Sequence, residues 1–258
     1  MGRRARRLLS EAENQRFLLS VWRAGSYWKY LPKPRITKTM IGENLLRFNR
    51  KQKYLLWDTE TASLSLNSKN NLPWEYGWIV ATLDGIIEEK EYHVKWPQFL
   101  TGELQIGPVV DAMTGFSQKF QNYKNWTAPE VVLAEFEKRL YDEDMIVVAH
   151  NGLGFDVYMH NLHRRALGKS SDYSYIPRFL DTNAIAKGWK LQYNFEGKNR
   201  IAAQYQLLDH RVRGMKTSIK ALCKELGIPY DETRAHHATY DVSLMHQILM
   251  YLIKTVDI

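Results

Sequence analysis

An α/β fold built on a mixed sheet is predicted for this chain, on three observations. The run Tyr54-Leu55-Leu56-Trp57 is short, apolar and aromatic, bounded by Lys and Asn/Ser-rich segments, as a buried strand would be. After it, Tyr76–Leu83 and Ile86–Val94 flank Asp84-Gly85, a hairpin signal, so the sheet opens as an antiparallel meander. Further on, Met145–Ala149 is apolar throughout, which suits a strand covered on both faces and parallel to the first.

The remaining elements come in chain order. Residues 1–50 are basic and mixed, and read as an N-terminal arm ahead of a domain spanning 51–258. Within the arm, Leu8–Trp22 has helical content without a clean period, and Pro32 and Pro34 break regular structure after it. The arm suits a contact to nucleic acid or a partner protein as well as it suits plain packing. Ser63–Pro73 is a polar loop, and Leu100–Trp126 is irregular with helical pieces. Pro129 fits the first turn of a helix reaching Tyr141, with Val132, Phe136 and Leu140 on one face. A helix over Phe155–Leu167 stops at Gly168. Arg178–Leu180 is a short strand followed by a turn at Asp181-Thr182, and Lys187–Met215 shows no period and reads as an insertion beside the functional face. Ser218–Leu226 is a helix closed by Gly227, and a last helix begins near His237 with Val242, Met245, Leu249 and Leu252 as its stripe.

Composition narrows the classes. Lys and Arg outnumber Asp and Glu by 36 to 28, a net charge of +8, which favours a polyanionic partner without proving one. One cysteine, Cys223, excludes an intrachain disulfide and zinc motifs built on several cysteines, and suits a reducing, cytoplasmic setting. No apolar run approaches the ~18 residues of a membrane span. Arg3, Arg4, Arg6 and Arg7 imitate the start of a signal peptide, but Glu11, Glu13 and Arg16 prevent an apolar segment from forming behind them. Gly152-Leu153-Gly154 hints at a dinucleotide fingerprint, but position 157 is Val, so that reading fails.

The chemistry concentrates in three stretches. The first strand ends in Asp58-Thr59-Glu60, and alternate residues of a strand share a face, so the two acids project together. Neighbouring carboxylates repel unless something positive sits between them, and hard oxygens suit Mg²⁺ or Mn²⁺. The second stretch runs from Val147 through His150-Asn151 to Phe155-Asp156, and the third is His236-His237-Ala238-Thr239-Tyr240-Asp241. Taken singly, each has an ordinary reading: exposed strand-end acids, a helix-start Asp that caps, a loop histidine. Five residues on a helix turn through ~500°, so His236 and Asp241 share no face of one straight helix, and His236 must sit in the loop that enters it.

In order and spacing, the three stretches resemble the motifs of the DEDDh 3′–5′ exonucleases, the superfamily of the proofreading subunits of bacterial replicative polymerases. There D-x-E ends the first strand, a strand ending in a His-Asn-like pair leads to an Asp at a helix start, and H-x-x-x-x-D opens the last helix. In Tyr-type relatives a Tyr stands four residues before the final Asp; His237 occupies that position here, so the chain resembles the His type. The likeness covers about residues 53–253.

The resemblance implies a ribonuclease-H-like α/β fold, a mixed five-stranded sheet flanked by helices, with the site at the carboxyl end of the first strand. It implies Asp58, Glu60, Asp156 and Asp241 as ligands of two Mg²⁺ or Mn²⁺ ions and His236 as general base. Thr61 and Ala62 would cradle the terminal nucleotide, Phe155 would stack near it, and Asn151, with His150, would orient the loop or touch substrate. The expected reaction releases nucleoside 5′-monophosphates from single-stranded 3′ ends, DNA before RNA, in replication or repair, with any polymerase or replication partner acting in trans. An exoribonuclease and a non-catalytic nucleic-acid or polymerase-binding module are the alternatives. A stand-alone basic chain of this size also resembles enzymes that phages encode and that act in the host cytoplasm.

Overall fold

The computed structural model describes residues 45–66 and 71–258; most of the basic arm, Leu8–Trp22 included, and residues 67–70 of the polar loop lie outside the described residues. The apolar run at Tyr54 grows into strand β1, Lys53–Thr61, which carries both acids within it. Strands β2 (Pro73–Thr82) and β3 (Gly85–His93) form the hairpin, and β4 (Met145–Ala149) and β5 (Phe179–Asp181) come later in the chain. β2 begins ahead of the expected Tyr76, with Pro73 at the first position of the strand, where its missing N–H does least harm. The sheet order is β3-β2-β1-β4-β5. The first three strands pair antiparallel, while β4 runs parallel to β1 and β5 parallel to β4. The fold is the mixed, ribonuclease-H-like α/β sheet expected from the sequence, and β1 is its central strand.

Three short helices fill the segment after β3: α1 (Gln98–Thr101), α2 (Pro108–Thr114) and α3 (Phe116–Phe120). Then come α4 (Pro129–Leu140), α5 (Asp156–Ala166), α6 (Thr182–Lys190), α7 (Arg200–Asp209), α8 (Ile219–Leu226) and α9 (Ala238–Thr255). The reading of Lys187–Met215 as patternless is corrected: α6 enters it and α7 lies within it. Each of these helices buries one large apolar residue, Ile185 and Leu207, among Thr182, Ala184, Ala186, Gly188, Ala203 and Gln204, so no large-apolar stripe betrays them.

Each face of the sheet carries its own core. Tyr54 and Leu56 of β1, Ile79 of β2 and Val148 of β4 meet Val242, Met245, Leu249 and Leu252, the stripe read for α9. On the other face Leu55, Trp57, Trp78 and Val147 meet Val132, Phe136 and Leu140 of α4. The Phe136 ring lies 4.7 Å from Trp57 and 5.3 Å from Tyr76, centroid to centroid. Deleting a ring so enclosed costs about 3–5 kcal/mol. Leu46 is buried and donates its N–H to the Ile258 carbonyl at 2.9 Å, so the chain joins the core ahead of the boundary read from composition. Among the described residues no helix is long and apolar enough to cross a membrane.

Candidate active site

Strand geometry sets the first two acids. Asp58 and Glu60 alternate with buried Thr59 and Thr61, so they share the face on which Tyr54 and Leu56 meet α9. The register slips between Glu60 and Thr61, an irregularity of the kind that re-aims side chains beside active sites. The opposite face holds Asp156. It opens α5, is buried, and accepts a 2.7 Å hydrogen bond from the Thr59 hydroxyl.

The last motif closes over this strand end. Asp241 stands in the first turn of α9 and accepts the His236 backbone N–H on Oδ2 at 3.3 Å. His236 lies in the entering loop with φ 62°, a left-handed conformation that costs a non-glycine residue about 1–2 kcal/mol. Ligand atoms of Glu60, His236 and Asp241 all lie within 4.8 Å of one another. Asp58 and Asp156 stand outside that tight trio but act on it electrostatically. His237 is the N-cap residue of α9 and makes no capping bond with its side chain.

The charges explain why the cluster is unusual. Burial raises Asp58 well above the normal carboxylate range, and the charges acting most strongly on it, Asp156, Glu60, Asp241 and Glu75, are all negative. Glu60 is raised by burial and by Glu75 and Asp241, against a smaller pull from Lys119. Burial lifts Asp156 to about 7, although the Thr59 hydroxyl opposes it. Asp241 is raised to about 6, burial outweighing the pull of His236. Hard oxygen donors crowded at this charge density fit divalent cations such as Mg²⁺ or Mn²⁺.

The β4–α5 loop borders the site. Asn151 is exposed and adopts φ 64°. Its N–H and that of Leu153 are held by Asp181, at 2.9 and 3.1 Å. Asp181 also caps α6, accepting from Asn183 and Ala184, and burial raises it to about 6. At Gly152 a side chain would meet Cβ of Ala149 at 2.4 Å, so this tight turn demands glycine. His150 shares a 2.9 Å hydrogen bond with the Thr182 hydroxyl. Phe155 is the half-buried N-cap residue of α5. Thr61 and Ala62 are buried; the Thr61 hydroxyl donates to the Ser63 carbonyl at 2.8 Å, and the Ala62 N–H donates to the Leu72 carbonyl at 3.2 Å.

Sequence reasoning missed Glu75 and Lys119. Glu75 lies on β2, fully buried, in register opposite Glu60. Its Oε1 accepts the backbone N–H of Ala238 at 2.9 Å, and its Oε2 accepts from the Lys119 ammonium, which α3 supplies. Burial pushes the Glu75 carboxyl up, but His93, 3.5 Å away, and Lys119 outweigh it and hold it below the usual range. A charged residue inside the apolar run Leu72–Val80 was the available signal. A second trio, Glu75, Glu91 and His93, also gathers within 4.8 Å, but Lys119 already compensates Glu75 there.

Fold and site together define an α/β protein of the ribonuclease-H-like class with a carboxylate-rich centre at the end of its central strand. Among solved structures the chain is similar to E. coli exonuclease I bound to a dT13 oligonucleotide, with a TM-score of 0.61 and 15% identity over 79% of this chain and 41% of that one. A product-bound exonuclease I matches with a TM-score of 0.58 and 16% identity over 80% of this chain and 44% of the other. The chain thus spans about two fifths of those proteins, and at such identity the likeness is one of fold. It does not extend to the narrower resemblance to polymerase proofreading subunits. No protein-family model matches the chain, and no curated protein does.

Proposed function

We propose that the protein is a metal-dependent 3′–5′ exonuclease that removes nucleoside 5′-monophosphates from single-stranded DNA ends. One observation carries the reading: Glu60, His236 and Asp241 gather within 4.8 Å at the end of the central strand, Asp58 and Asp156 add their charge to this group, and burial and like charge outweigh the pull of Lys119 and His236. The fold shared with exonuclease I, solved with dT13 and dA16 oligonucleotides, supports it. Divalent cations held by the four carboxylates would polarise the phosphate and lower the pKa of the attacking water. His236 would serve as the general base that takes the proton from the attacking water. Its left-handed backbone turns it back towards Glu60 and Asp241 instead of continuing α9. The Phe155 ring offers the terminal base a stacking surface that tolerates any sequence, and Asn151 and the backbone of Thr61 and Ala62 line the end of the strand. The exposed Arg211, Arg213 and Lys216 would supply phosphate contacts that weaken with salt.

The test is digestion of 5′-labelled single-stranded DNA and RNA of equal sequence, side by side, with Mg²⁺ and with Mn²⁺. Shortening from the 3′ end, metal-dependent and faster on DNA, is expected. Faster RNA shortening would reassign the substrate, and no shortening of either would overturn the nuclease reading.

A further inference from the structure

Helix α9 begins without a cap of its own. Its N-cap residue, His237, makes no side-chain hydrogen bond to the first turn, although the first N–H groups of a helix need acceptors. Ala238 is the first helical residue, and its N–H is buried against β2. The acceptor comes from elsewhere in the chain: Oε1 of Glu75, at 2.9 Å. The approach is close by construction. Two residues along β2 from Glu75, a Cβ on Gly77 would stand 2.5 Å from the Ala238 carbonyl carbon and from the Thr239 nitrogen. The Thr239 hydroxyl also donates to Glu91 of β3. The first turn of α9 is therefore laid directly on the meander.

This matters for His236. That residue sits in a strained conformation and needs restraint on both sides to hold it. On one side its own N–H is held by Asp241. On the other, two residues along, Ala238 is held by Glu75. Lys119, delivered by α3, keeps Glu75 ionised, and an ionised acceptor makes the stronger bond. We infer that Glu75 is a positioning residue for the reaction: capping α9 from the neighbouring strand, it fixes the loop that aims His236. The inference rests on the nuclease reading above, with His236 as base.

The experiment compares two neutral versions of the pair. Glu75→Gln with Lys119→Met keeps a carbonyl acceptor for Ala238; Glu75→Leu with Lys119→Met removes it. Both remove the two charges of the pair together and withdraw Lys119 from Glu60 equally, so they differ only in the acceptor offered to Ala238, and exchange of a buried ion pair for neutral groups is commonly tolerated by the fold. With the labelled DNA and Mn²⁺, the Leu/Met protein should lose about 10–100-fold in kcat with KM nearly unchanged, since a small misplacement of a catalytic group costs that much. The Gln/Met protein should recover most of the rate. Placed in a His236→Ala background, the Leu/Met exchange should cost little more, because a residue that acts only through His236 has nothing left to aim. The rise in Tm on adding Mn²⁺ should persist in all the pair variants.

Equal rates for the two neutral pairs would overturn the inference. So would a loss that multiplies fully with that of His236→Ala, or a vanished Mn²⁺ response in the Leu/Met protein, which would make Glu75 part of the metal site. If the Leu/Met protein fails to fold, the Gln/Met protein decides: a rate as low as that of His236→Ala overturns the inference, and a recovered rate supports it. Wild-type protein inert on every 3′ end would instead bring down the nuclease reading, and the positioning role with it.

Discussion

Glu60 and Glu75 face each other across β1 and β2, yet they behave in opposite ways. Glu75 is the more buried, and burial alone would leave it the harder to ionise. Instead Glu75 is held below the usual range and Glu60 is pushed well above it. The difference lies in what each is given. Glu75 receives the Lys119 ammonium, the His93 ring and a backbone N–H, whereas Glu60 receives mainly other carboxylates. A carboxylate that the fold satisfies from its own atoms does structural work. One left among like charges marks where the molecule expects a cation from outside.

The sharpest way to break this contrast is to delete the uncompensated members. Asp58→Ala or Asp241→Ala should abolish hydrolysis of labelled DNA while the circular dichroism spectrum stays native. Near-normal turnover would remove these acids from the site. Next in size, His236→Ala should slow turnover by about 10²–10⁴-fold, with Mn²⁺ affinity little changed, as loss of a general base does. His237→Ala should cost far less, and the reverse ranking would transfer the role to His237. The compensated side is tested by Lys119→Met, which strands Glu75 without its cation. Equilibrium unfolding should show a loss of about 3 kcal/mol, the usual result of breaking a buried pair; an unchanged midpoint would mean that Glu75 needs no cation.

The smallest effect concerns pH. Asp156 at about 7 and Asp241 at about 6 lie above the 3.8 of an ordinary aspartate. Between those values the folded state holds protons that the unfolded chain has released. The stabilisation is full below pH 4 and is lost as pH rises through about 6 to 7. In EDTA, thermal melts should therefore fall over that interval, and Asp58→Asn should raise the Tm at pH 7.5. Saturating Mn²⁺ should flatten the pH profile, because a ligand of the folded state alone stabilises it. A metal-free protein equally stable at pH 5 and pH 7.5 would show that burial does not hold Asp156 and Asp241 above the ordinary aspartate range.

The sequence disclosed those parts of the fold in which large apolar residues mark a face. Val132, Phe136 and Leu140 made α4 legible, and Val242, Met245, Leu249 and Leu252 did the same for α9. The hairpin was legible from Asp84-Gly85. The cation-poor acids were legible because a two-residue spacing on a strand and a five-residue spacing at a helix entry are local. Glu75 was hidden because its meaning is not local. Its partners come from residues 93, 119 and 238, and nothing between Trp74 and Tyr76 announces them. Helices α6 and α7 were hidden for a different reason, since each buries a single large apolar residue, Ile185 and Leu207, among small and polar ones.

The central place of β1, with α9 laid across it, also sets a schedule. Asp58 leaves the ribosome well before its companions His236 and Asp241, which stand at the start of α9. At roughly 5–20 residues per second, synthesis needs on the order of ten seconds or more to travel from one to the other. During that interval the nascent chain holds Asp58 and Glu60, and from midway Asp156 as well, without Asp241 and His236. The carboxylate centre therefore comes together only when α9 docks on the sheet and brings Asp241 and His236 to Glu60.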